Sequence, residues 1–255
     1  MFKNVLLFMF LMFFYATNLN ANVISQKFEV EVGVFDAATV ELNYNEHKGK
    51  YNIGANIKTA NFFGSIYPFE ANYEANGNMV KNKVLANVYK TKTKSRNHIR
   101  TKEILYDKKG KAYKRISTKD EQKKEVEIKN VPKSADMADL QNVLAELIYQ
   151  FNRNRSCELE REIYDGKKHY KVIVKNKGHE NRVFDFDKKV RNSYKCSIYI
   201  KNLKENNDNI LWDISAETPI NLWVDIDNET KMPKILEIRI DSTPLGEVQI
   251  RPISL

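Results

Sequence analysis

The sequence predicts an all-β protein: a single strongly curved, mainly antiparallel sheet or open half-barrel of about 10–13 strands, wrapped around one amphipathic α-helix. Apolar and polar residues alternate with period two along most of the chain, as where Tyr51, Ile53, Ala55 and Ile57 interleave with Asn52, Gly54 and Asn56. That pattern marks strands buried on one face. Turn residues such as Gly49, Gly110 and the pair Asp165-Gly166 separate the alternating runs, as hairpins require. One stretch alone repeats with a 3.6 period, through Met137, Leu140, Leu144, Leu147, Ile148 and Phe151.

The N-terminus reads as a secretory signal peptide over residues 1–21. Lys3 supplies the basic start, and residues 5–16 form an apolar run of twelve. Such a run is too short to span a bilayer core but suits a signal peptide. Leu19-Asn20-Ala21 offers a small-residue cleavage site with Ala21 as the last residue removed. The mature chain would be one β-rich domain over residues 22–255, located in the periplasm. No cysteine lies near the cleavage site, so a lipoprotein is not expected.

The full chain carries 42 Lys and Arg against 33 Asp and Glu, a net charge of +9, which falls to +8 once Lys3 is removed. A basic exported protein is drawn to anionic surfaces. Lys90, Lys92, Lys94, Arg96, Arg100 and Lys102 cluster around one hairpin connection and are the candidate contacts for an anionic partner. A solvated hairpin tip is the alternative for the same residues.

In chain order, Phe28, Val30 and Val32 mark a first strand, and Ala38, Val40, Leu42 and Tyr44 a second. The Lys50 and Phe69 strands follow, separated by residues 61–68. That segment holds Phe62, Phe63, Ile66 and Tyr67, more apolar groups than a solvated loop carries, with Gly64 and Pro68 breaking any strand. A short helical turn is expected there. Together with Phe69 these side chains are the candidate ligand contacts, either as a lid over an apolar cavity or as a plain core corner. Hairpins over residues 79–106 and a short edge strand at Val126 and Ile128 precede the helix, placed at about 136–152 with Ser134 or Asp136 as its cap. A hairpin through Asp165-Gly166, a polar stretch over residues 176–192, a second cysteine strand and a three-stranded meander complete the domain.

Cys157 and Cys196 fall on the apolar phase of their strands. In an oxidising compartment they can bridge, and two free buried thiols are the alternative. A metal site is not expected, because the two cysteines lack clustered histidines and His47, His98, His169 and His179 are scattered. Neither a Gly-x-Ser-x-Gly elbow nor a phosphate-cradling glycine loop occurs. Trp223 beside Asp225 and Asp227 has the ingredients of sugar binding, or of an ordinary strand end. No cofactor, no nucleic acid and no catalytic role are expected.

Several short motifs come in a familiar order: Tyr67-Pro68-Phe69, the helix near Asp136, Tyr164-Asp165-Gly166, Ile220-Asn221-Leu222-Trp223-Val224, and Thr243-Pro244-Leu245-Gly246. Together they resemble the bacterial exported family of unknown function DUF3108, with Ala37 standing where a second glycine is common. The resemblance implies an envelope location and a cysteine pair placed like Cys157 and Cys196. It implies no activity. The expected role is a non-catalytic binding or carrier protein for an apolar or amphiphilic ligand such as a lipid. A structural or assembly factor docking an envelope protein or an anionic glycolipid is the alternative.

Overall fold

A computed structural model of the chain describes residues 22–81, 83–203, 218–243 and 246–253. The signal-peptide reading, including cleavage after Ala21, lies outside the described residues. All fifteen described strands belong to one sheet. β1 (Asn22–Val32), β2 (Phe35–His47), β3 (Lys50–Thr59), β4 (Phe69–Val80), β5 (Lys83–Ser95), β6 (His98–Tyr106), β7 (Ala112–Lys119) and β8 (Gln122–Glu127) form an antiparallel meander. The helical turn α1 (Asn61–Ile66) joins β3 to β4. β9 (Ala135–Met137) and helix α2 (Leu140–Asn154) follow. β10 (Leu159–Tyr164), β11 (His169–Val183), β12 (Val190–Asn202), β13 (Ile220–Ile226), β14 (Pro233–Ile240) and β15 (Val248–Pro252) make a second meander. The two halves join where β1 pairs with β15, from Phe28 opposite Pro252 to Val32 opposite Val248. β9 pairs with β10 in the parallel sense, so the sheet is antiparallel except at that edge.

An open twisted sheet rarely exceeds about ten strands without curling, and this one rolls up without closing. β8 and β9 are its two edges. The ends approach through side chains rather than a backbone ladder. From β6, Lys102 Nζ donates to Asp165 Oδ2 at 3.3 Å, and from β7 the Arg115 guanidinium donates to the Asp165 carbonyl at 3.1 Å. Asp165 lies in the β10–β11 turn, where Gly166 has a φ of +80° and a Cβ would meet Ile128 at 3.2 Å. Only glycine fits both demands.

The helix begins later than the sequence predicts, at Leu140 rather than near Asp136. Ala135 and Met137 are buried on either side of exposed Asp136, so these residues satisfy period two and become β9. Asp139, with extended φ and ψ of −154° and 160°, is the N-cap in place of Ser134 or Asp136, and its carboxylate accepts from Asn142 N at 2.8 Å. Residues 176–192 also differ from expectation. β11 runs on to Val183 and pairs with β12 as far as Val190, past an irregularity between Asn176 and His179. Gly178, φ +79°, lies within it. The hairpin tip buries Phe184 against Trp223 and Leu236 on the outer face of the sheet.

Cys157 lies just before β10 rather than within a strand, and it is bonded to Cys196 on β12 with the Cα atoms 6.1 Å apart. The bridge ties the chain leaving α2 to the wall that α2 packs against. Its loop of 39 residues implies roughly 3–4 kcal/mol of stabilisation through the unfolded chain. Urea denaturation of the Cys157→Ala/Cys196→Ala double variant should show a loss of about that size; an unchanged midpoint would contradict it.

Candidate functional site

The interior of the roll has two ends with different chemistry. The end at the β2–β3 and β4–β5 turns is filled by α2, whose buried face carries Val143, Leu147, Ile148 and Phe151. These pack on Leu42, Tyr44, Ile53 and Ala75 of the sheet. Polar groups fix the N-terminal half of the helix. Tyr106 Oη donates to Asp139 Oδ2, Tyr51 Oη donates to Asn142 Oδ1, and Asn142 Nδ2 donates to Asp139 Oδ2 at 2.5 Å. One turn on, Arg161 Nε donates to Glu146 Oε2 at 2.8 Å. Burial pushes the Asp139 carboxyl above the usual range, against the opposing donors of Tyr106 and Asn142. These acids serve the helix, since their oxygens are engaged by groups of the fold itself.

A cleft between α2 and the sheet is lined by Leu42, Leu144, Phe151, Val224 and Ile235, with about 30 Å³ of free space. Ligand sites measure roughly 300–1,000 Å³, so this slot is a packing gap. Its wall is sealed where β15 ends. Gln26 on β1 donates to the Ile235 carbonyl at 3.1 Å and accepts from Ile235 N at 2.9 Å. The side-chain amide thereby takes the place of the missing strand.

Beyond the helix, towards α1, the concave face is half-buried and apolar. Val40 and Ile57 line it from the N-terminal half, and Ile198, Ile238 and Ile250 from the C-terminal half. At the rim of this end, Phe62, Ile66 and Tyr67 are exposed, with 60% of Phe62 accessible. Phe63 is half-buried against Val32, Ala37, Ile240 and Val248, and the Phe35 ring lies 6.1 Å from that of Phe62. The Arg96 guanidinium donates to the Ile66 carbonyl and staples the turn to the β5–β6 connection. Phe69 lies in the wall below, half-buried. Of the five apolar candidates, Phe62, Phe63, Ile66 and Tyr67 therefore form a rim and Phe69 a wall; none of them borders the slot beside α2.

The ladder divides the six basic candidates. Cross-strand partners project to the same side of a sheet. Lys90, Lys92 and Lys94 are opposite Glu103, Thr101 and Ile99, on the outer face. Arg100 and Lys102 are opposite Thr93 and Thr91, on the side of buried Tyr89 and Ile104. Lys119 and Lys124 join them there, with Ser117 between. Those two lysines are legible only once the strand register is known. Trp223, a candidate for sugar stacking, is 2% exposed and lies beneath the Arg182 guanidinium at 4.2 Å, so its ring offers no free face. Asp227 caps its own turn by accepting from Thr230 N at 2.8 Å.

These features define a class: an unclosed, rolled β-sheet with a helix plugging one end and an apolar-and-cationic concavity towards the other. The chain belongs to the family described as protein of unknown function DUF3108, which it matches over residues 27–243. No curated protein matches the sequence. Among solved structures it is similar to a β-barrel-like protein of domain of unknown function DUF1849 from Brucella abortus. The two share 9% identity over 92% of this chain and 95% of that one, with a TM-score of 0.50. At that identity the likeness shows the fold alone.

Two measurements check the electrostatics. Asp139→Ala removes an N-cap and orphans the Tyr106 hydroxyl, so urea unfolding should register a loss of about 2–4 kcal/mol. For Asp165, burial opposes ionisation, but Lys102 and the N–H groups of Lys168 and Lys167 outweigh it and hold the pKa below the usual range. A depressed native pKa stabilises above the unfolded value and is lost as pH falls through the native one. The stability advantage of the wild type over Asp165→Asn should stay level from about pH 8 to pH 5 and shrink below about pH 4. A difference that grew on acidification would have the wrong sign.

Proposed function

We propose that this protein is an exported, non-catalytic binding protein of the cell envelope, which takes up the apolar part of an amphiphile in the concavity beyond α2. The observation that carries the reading is the half-buried apolar wall of Val40, Ile57, Ile198, Ile238 and Ile250 at the end that α2 does not fill. Packed cores bury such side chains fully, and apolar surface left in a concave position is where ligands bind. The exposed rim of Phe35, Phe62, Ile66 and Tyr67 suits a protein that exchanges its ligand with an apolar phase. The Cys157–Cys196 bridge fits an oxidising compartment, and the signal-like N-terminus accounts for reaching it. The buried carboxylates Asp139 and Glu146 are engaged by helix and sheet groups, which supports binding rather than catalysis.

The neutral fluorescent probe N-phenyl-1-naphthylamine tests the reading. Its emission should rise on mixing with wild-type protein, and Ile57→Asn should weaken binding by about tenfold. Leu144→Met, which alters the slot beside α2 at nearly constant volume, should leave binding unchanged. Wild-type protein that neither enhances the probe nor carries lipid on native mass spectrometry sinks the proposal. Export is checked separately: fractionated cells should release a polypeptide beginning at Asn22 with the periplasmic contents, and uncleaved protein among the cytosolic contents would contradict it.

A further inference from the structure

We infer that the bound amphiphile carries a phosphate-type anionic head group, held on the concave face of β6–β8 by Arg100, Lys119 and Lys124. This rests on the reading of the concavity as an amphiphile site and specifies its ligand.

The register supplies the geometry. One row of directly opposed residues crosses the sheet through Val40, Ile57, Ala71, Thr93, Arg100 and Lys119. All of them project to one side. The row is apolar on β2–β4, hydroxylic on β5 and cationic on β6 and β7. With strands about 4.8 Å apart, Ile57 and Arg100 are separated by three spacings, about 14 Å. That is the reach of an amphiphile with its tail on one wall and its head on the other.

The charges are sorted by face. The acids of β6–β8 lie on the outer face and are matched there: Glu103 with Lys90 at 3.2 Å, Glu125 with Lys114 and Lys123 at 2.5 and 2.6 Å, and Glu127 with Lys129 at 3.0 Å. On the concave face, Asp165 engages Lys102 and Arg115. Among the described residues no ion pair is formed by Arg100, Lys119 or Lys124. Arg100 and Lys119 are directly opposite one another, and like charges so placed are destabilising. An anion between them would turn that repulsion into attraction.

The space and the donors fit. The concave surface around Thr91, Thr93, Arg100, Ser117, Lys119 and Lys124 borders an open groove of about 610 Å³, room enough for a head group. A fatty-acid carboxylate presents two oxygens and a single charge. A phosphate monoester presents three oxygens and a charge near −2, which matches three cations with hydroxyl donors between them.

Displacement of N-phenyl-1-naphthylamine separates the possibilities. Dodecyl phosphate should displace the probe from wild-type protein at about tenfold lower concentration than dodecyl maltoside. The exposed triple variant Arg100→Gln/Lys119→Gln/Lys124→Gln should bind the probe as the wild type does and lose that preference. Inorganic phosphate alone should not displace the probe. Equal displacement by the two amphiphiles, or a preference that survives in the triple variant, overturns the head-group assignment and leaves the amphiphile reading standing. Displacement of dodecyl phosphate by equimolar inorganic phosphate overturns it as well, in favour of a free-phosphate site. Failure of wild-type protein to bind the neutral probe sinks the amphiphile reading itself.

Discussion

A rolled sheet that does not close must have its interior filled by something other than itself. Fifteen strands curl far enough to enclose a space, yet β8 and β9 never pair. α2 meets that constraint at one end. Its apolar face completes the core with Leu42, Ile53 and Ala75, and Asp139 and Asn142 fix its depth and rotation through Tyr51 and Tyr106. Buried polar groups specify position more sharply than apolar contacts, because an unmet donor or acceptor in such a place costs about 1–3 kcal/mol. A helix slid by one turn would leave several of them unmet. The helix is fifteen residues long, about 22 Å at 1.5 Å per residue, so it fills one end and leaves the concave face beyond it without a helical partner.

The two halves of the sheet are stabilised differently. In the C-terminal half, the disulfide joins the exit of α2 to β12, and the β11–β12 hairpin tip folds Phe184 over Trp223 and Leu236 on the outer face. The Arg182 guanidinium spans the same layer and donates to the nearly buried Glu237 carboxylate at 2.8 Å. That half is packed on both faces. β6–β8 lack such a second layer: their outer face carries Lys–Glu pairs, and their concave face passes from the core residues Ile104 and Tyr106 to the cations Arg100, Lys119 and Lys124. The apolar wall draws on both halves, whereas the cations lie on β6–β8 alone.

Much of this architecture is legible in the sequence, and the failures have physical causes. The alternation in β3 and β4 is clear because one face of each is core and the other is water. Ala135 to Met137 misleads because three residues with apolar ends satisfy both a strand and a first helical turn, and because Asp136 and Asp139 both offer capping oxygens. β11 beyond Lys175 is hidden because its side chains leave the main core for a small outer cluster, so a single phenylalanine replaces a full alternating face. Trp223 reads as exposed from its polar neighbours Asn221 and Asp225, yet the outer cluster covers it. The basic hairpin is visible as composition, but its division between two faces depends on which residues oppose which. A neighbourhood in sequence thus reads as one patch where the sheet makes two, and Lys119 and Lys124, distant along the chain, complete the concave set.

α2 is locked into the sheet as part of its core. Native-state hydrogen exchange tests this most directly. The amides of Val143, Leu147 and Ile148 should exchange only through global unfolding, with the same protection as those of Ile53 and Ala75. Helix amides that exchange through a local opening, while the strands stay protected, would make α2 a mobile element rather than part of the core.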